Sequence, residues 1–212
     1  MNNPVNKEIY NPVLLREKLV KSVIRSDALL ANMRFLDVEA RKSSEFSDPR
    51  YYPFYYYLGQ QLQSHSVVQV GSQIGLVGSA FLQGCRTVED WLSIDIPRNN
   101  GASLAGITKG NIQKHCGGKV DAMYMSPNAD ILLKEGNSSW HPDTMFISER
   151  FDPEIYKIVL EFAWKHLITE GILIADYITT DAIRPVFESF CRVKNREPIV
   201  FDTRYGVGII QR

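Results

Sequence analysis

A single α/β domain on a mostly parallel, seven-stranded sheet, preceded by a helical extension, is the architecture the sequence predicts. Three observations carry it. From His65 onward, short apolar, β-rich runs alternate with helical or loop segments. These runs are nearly continuous in apolar residues, as strands covered on both faces are. Finally, only Asp202 to Tyr205 separates the last two runs, which suits a hairpin and makes the final strand antiparallel.

The elements follow in order. Leu14, Leu15, Leu19, Val23, Ile24, Leu29 and Leu30 recur at helical spacing, with Lys18, Lys21 and Arg25 between them. They form the extension, residues 1–54, expected to pack on a core of residues 55–212. Ser43 to Tyr57 is an irregular approach around Pro49, ending in a cluster of tyrosines. A short helix is expected over Tyr55 to Gln63. The strands are expected at Val67–Val70, Trp91–Ile94, Val120–Met125, Thr144–Ile147, Ile172–Ala175, Pro198–Phe201 and Gly206–Ile210. Between the fourth and fifth lies a legible helix: Asp152 as cap, Pro153 at its first position, and Ile155, Val159, Phe162 and Ala163 as its apolar stripe. Gly171 is expected to stop it.

Composition narrows the function classes. Lysine plus arginine equals aspartate plus glutamate, 24 each, so no general attraction to nucleic acid or anionic lipid is built in. No run approaches the roughly 18 apolar residues of a membrane span, and the polar N-terminus has no signal-peptide core. Cys85, Cys116 and Cys191 are widely spaced and read as buried thiols in a reducing compartment, which points to the cytosol. A homo-oligomer is compatible with these features.

In an open parallel sheet, ligands bind beyond the carboxyl ends of the strands where the strand order reverses. The first strand runs out through Gln69-Val70-Gly71-Ser72-Gln73-Ile74-Gly75 into a helix. Glycines there allow a tight turn and close approach of a ligand. A dinucleotide fingerprint would need glycines where Gln73 and Leu76 stand, so that reading fails. The stretch instead resembles the first motif of the class I S-adenosylmethionine-dependent methyltransferases, acid-x-Gly-x-Gly-x-Gly. Gly71 and Gly75 match its first and third glycines; Gln69 replaces the acid and Gln73 the middle glycine. Asp95 ends the second strand roughly 20 residues on, where a carboxylate accepts both ribose hydroxyls. After the third strand, Ser126, Asn128 or Asp130 would read the adenine, although an ordinary turn explains the same letters.

Downstream, the chain resembles small-molecule and sugar methyltransferases with the layout strand, Ile-Asp-Gly-x-His, helix, Gly-Gly-strand, Asp. The matching stretches are Thr144 to Asp152 and Gly171 to Tyr177, with Tyr205 to Ile210 similar to the last strand. The resemblance spans about residues 55 to 212 and implies a three-layer Rossmann-like methyltransferase fold. The departures are specific. Ser148 replaces the aspartate, Phe151 the histidine, and Glu149-Arg150 the Gly-x pair. Glu149 and Asp176 would supply a metal-binding pair only from shifted positions, so no metal site is assigned. His65, His115, His141 and His166 do not cluster at ligand spacing; His166 falls late in its helix, where a partly charged imidazole suits the dipole.

The expected activity is methyl transfer from S-adenosylmethionine to oxygen or nitrogen of a small molecule or sugar. Asp176 is the first choice of base, Glu149 the second, and Gln69, Gly71, Gly75, Asp95, Ser126 and Asn128 the cofactor-binding set. Two other readings stay open. One is an inactive binding or assembly module, with Tyr51 to Tyr57 as its interface. The other is a nucleotide-sugar or adenosine-ligand enzyme using the Gly71/Asp95 grip.

Overall fold

The structure, a computed structural model, describes residues 51–72, 75–96, 105–124, 140–201, 203 and 205–212. The helix expected through Leu14 to Leu30, Gln73, Ser126, Asn128 and Asp130 lie outside the described residues.

Seven strands form one sheet: β1 Ser66–Val70, β2 Asp90–Asp95, β3 Lys119–Tyr124, β4 Thr144–Ile147, β5 Ile172–Asp176, β6 Ile199–Phe201 and β7 Val207–Gln211. Their order is β3-β2-β1-β4-β5-β7-β6. The first five run parallel, and β7 enters antiparallel between β5 and β6. Each expected strand is present, with ends moved by a residue or so.

The near-continuous apolar runs are explained by the two layers they feed. Val67, Phe146 and Ile174 point into one core layer; their neighbours Val68, Met145 and Leu173 point into the other. Helices α1 Tyr51–Leu62, α2 Leu76–Gly84 and α3 Ala105–Gln113 contribute to the first layer, α4 Pro153–His166 and α5 Arg184–Val193 to the second. Helix α1 begins earlier than the sequence suggests because its aromatic residues are core. Tyr52, Phe54 and Tyr55 are buried; Phe54 lies 5.0 Å from Phe201 and Tyr55 5.9 Å from Phe146, ring centre to ring centre. That removes these three rings from any external interface.

Helix α4 also differs from expectation in its ends. Asp152 occupies the N-cap position and Pro153 follows, but the Asp152 side chain makes no cap hydrogen bond. The helix stops at His166, and Leu167 turns extended four residues before Gly171. His166 does not work as a charged helix terminus. It is buried, its ring packs 4.6 Å from Phe162, and burial with the nearby Lys165 charge lowers its pKa below 6.5. Such a group contributes stability that is present above pH 6.5 and is lost as pH falls through the lower folded value. Replacing His166 with glutamine should therefore flatten the stability profile below pH 6.5, measured as urea midpoints. His115, lowered for similar reasons, supplies a separate share.

Cys85, Cys116 and Cys191 are free and buried. Burial raises all three thiols, Cys191 to about 11, which keeps them protonated and unreactive near neutrality.

Candidate functional site

Connections leave β1 and β4 on opposite faces of the sheet, so the crevice between their carboxyl ends is the switch point. The chain ties this crevice together with backbone hydrogen bonds. The Gly71 amide donates to the Ile94 carbonyl at 2.8 Å, and the Ser148 amide to the Val70 carbonyl at 3.0 Å. The turn after β1 is thereby fixed beside Asp95 on one flank and beside the β4 tip on the other. Gly75, whose amide donates to the Ser72 carbonyl at 2.7 Å, has φ 80° and forms the N-cap of α2. Gly75 itself supplies no side-chain cap and no acidic residue lies in the first turn of α2, whose amide dipoles point toward the edge of the sheet.

Gly71 has φ 76°, and a Cβ there would stand 2.3 Å from Glu149 Cβ and 3.1 Å from Phe151 Cζ. Close approach to Glu149 thus requires this glycine before any ligand is considered. Glu149 and Phe151 are themselves buried.

Two hydroxyls are left over at the same edge. Ser72 and Ser148, each one or two residues past a strand end, are 4% and 5% exposed, and neither Oγ has a hydrogen-bond partner among the described residues. Buried polar groups without partners are costly. Here they flank the crevice on both sides, together with the N-terminus of α2. Ser72 drew no attention in the sequence because a serine after a glycine is ordinary turn chemistry.

The other assigned residues sit differently. Gln69 points away from the edge, under α2. A Cβ at Gly78 would meet its Oε1 at 2.9 Å and Trp91 Cζ2 at 2.5 Å. The Gln69 residue is 1% exposed, and both amide atoms lack partners among the described residues. Gln69→Met, similar in volume and apolar, should raise unfolding stability by about 1–3 kcal/mol, read as a shift in the denaturant midpoint at unchanged slope. An unchanged midpoint would show that the amide is already satisfied.

Asp176 ends β5 at 1% exposure. The Tyr55 hydroxyl, from α1, donates to its Oδ1, and the Tyr156 hydroxyl, from α4, donates to its backbone carbonyl. One tyrosine thus reaches it from each layer. Burial and the Asp176 charge raise the Tyr156 pKa well above its ordinary value, so this phenol remains a donor. Among the described residues, no group of three or more histidine, cysteine or carboxylate side chains is placed to hold a metal ion. Nor is any described helix long and apolar enough to cross a membrane.

The same overall fold recurs in solved structures. An O-methyltransferase from Bacillus cereus in complex with S-adenosylhomocysteine superposes with a TM-score of 0.60 at 14% identity, covering 96% of this chain and 100% of that one. The chain has the class I methyltransferase fold. The methyltransferase PaMTH1 of Podospora anserina, bound to S-adenosylhomocysteine, gives 0.58 at 13% identity over 99% of this chain and 97% of that one. A putative caffeoyl-CoA O-methyltransferase from Staphylococcus aureus gives 0.60 at 14% identity over 94% and 99%. No family model matches the sequence, and no curated protein matches it. The methyltransferase fold is therefore established by the path of the chain, at low sequence identity.

Proposed function

We propose that this protein transfers the methyl group of S-adenosylmethionine to an oxygen or nitrogen atom of a small molecule or sugar. The observation that carries the reading is the hydrogen bond from Gly71 to Ile94, which holds the turn after β1 against the strand end bearing Asp95. The residues present suit the cofactor. Asp95 would accept the ribose hydroxyls, the α2 N-terminus and the Ser72 hydroxyl would take the carboxylate end, and Ser148 would close the β4 side. Ser126 and Asn128 remain the proposed adenine contacts, and Gly71 and Gly75 shape the turn.

Bound S-adenosylmethionine supplies an electrophilic methyl group, whose transfer leaves a neutral thioether. The protein's task is mainly alignment, worth about 7–11 kcal/mol in well-oriented reactions. A base taking the acceptor's proton would add roughly 10²–10⁴-fold. Glu149, beside the turn, is now the better placed candidate. Asp176 is enclosed and bonded to Tyr55, which suits a positioning role. That enclosure also favours a second reading, a binding module that keeps the fold without catalysis.

Calorimetric titration with S-adenosylmethionine and S-adenosylhomocysteine tests the proposal. Saturable binding is expected for both. No heat at millimolar ligand would favour the module, and a response to a nucleotide-sugar alone would favour that ligand class. The proposal includes the chain before α1 as an extension packed on the core, the 54/55 boundary expected from the sequence falling inside that helix, and the cytosol as the compartment.

A further inference from the structure

Methyl transfer changes the charge at the donor's sulfur, from a sulfonium cation to a neutral thioether. A fixed negative charge nearby therefore holds the donor more firmly than the product. Asp176 is placed to supply one.

Strand register gives its position. Ala175 pairs with Ile147, and Ile147 with Val70. Asp176 thus stands level with Ser148 and Gly71, two strand spacings, about 10 Å, from the turn after β1. Ile172 and Ile174 feed the first core layer, Leu173 and Ala175 the second. Alternation then turns the Asp176 side chain toward the first layer, to which α2 also belongs. The bond from Tyr55 agrees with that direction, since Tyr55 lies in the same layer and donates to Oδ1.

The charge is maintained as well. A phenol that donates to a carboxylate favours its ionised form. The Asp176 charge is also one cause of the raised Tyr156 pKa, after burial. At 1% exposure, Asp176 is screened little by salt and water. Glu149 lies nearer the turn, but it is the candidate base, and a base changes its charge during turnover. Asp176 keeps its own.

We propose that Asp176 is a specificity-determining residue for the donor: its buried negative charge makes the site prefer the sulfonium cation to the neutral thioether that transfer leaves behind. The charge acts through space and requires no open face on Asp176. The proposal rests on the methyltransferase reading and deepens it, because a site so charged favours release of its own product.

The test is calorimetry on the full chain near neutral pH. The ligands are S-adenosylmethionine, S-adenosylhomocysteine and sinefungin, a cation with an amine in place of the methylsulfonium. The wild type should bind both cations more tightly than S-adenosylhomocysteine. Asp176→Asn keeps the size and removes the charge. It should cut the donor-to-product affinity ratio roughly tenfold, the effect of one charge at about 10 Å under an effective dielectric of about 20. Tyr55→Phe loosens the same strand end but leaves the charge, so its ratio should stay closer to wild type. A wild type that binds S-adenosylhomocysteine at least as tightly as the cations would overturn the proposal. So would a ratio unmoved by Asp176→Asn, or one that falls equally in Tyr55→Phe, which would make the effect structural. If Asp176→Asn fails to fold, the order of the ligands on the wild type decides. Failure of every ligand to bind the wild type is a separate result: it overturns the methyltransferase reading and takes this proposal with it.

Discussion

Replacing Asp95 with alanine should weaken S-adenosylhomocysteine binding by about 10- to 150-fold, the equivalent of losing about 1.5–3 kcal/mol of hydrogen bonding to a charged group. Asp95 ends β2, one residue after the carbonyl that receives the Gly71 amide, so the backbone sets its distance from the turn. Alanine keeps that backbone and removes only the acceptor. Asparagine keeps one acceptor and loses the charge, so Asp95→Asn should fall between alanine and wild type. Calorimetry on the three proteins checks the order. Equal affinities would place the adenosine elsewhere, and the Gly71–Asp95 grip would be lost as the basis of the functional reading.

Gly71→Ala is expected to carry the largest stability cost of the substitutions considered, about 2–5 kcal/mol. Left-handed backbone costs a side chain about 1–2 kcal/mol, and overpacking typically adds about 1–3 kcal/mol. Both apply, since the new Cβ would fall 2.3 Å from Glu149 Cβ, an atom fixed to its own backbone. For a chain of this size the melting temperature should drop by roughly 5–20 °C. Gly75→Ala is the internal comparison. Its φ is also positive, at 80°, but the nearest neighbour would be Ile112 Cγ1 at 3.2 Å, part of a side chain that can shift. It should cost less. Thermal unfolding of both variants tests this ranking. If Gly71→Ala melts as high as Gly75→Ala, then Glu149 does not back the turn, and the crevice is roomier than described.

The site was only partly legible in the chain, for identifiable reasons. Gly71 and Gly75 could be picked out because left-handed turns favour glycine, and both do have positive φ. Asp95 could be picked out because it ends a strand at a telling distance. Asp176 was found, but its enclosure was not: Tyr55 lies 121 residues away, and no spacing rule links them. Gln69 was read as facing the ligand because of its place in a motif; pleat alternation turns it under α2 instead. His166 reads in the sequence as a partly charged imidazole suited to a helix end, because its burial cannot be counted from its own helix.

By itself, then, the sequence determined the class of the fold, the seven strands, the closing antiparallel pair and the turn that opens the switch point. All of these follow from local rules of apolar period, turn chemistry and connection length. Only the tertiary structure decided which face each strand residue feeds, that Glu149 fills the space beside Gly71, and that Tyr55 reaches Asp176. Those depend on strand order and on contacts between distant segments, where close packing, rather than local propensity, selects the conformation.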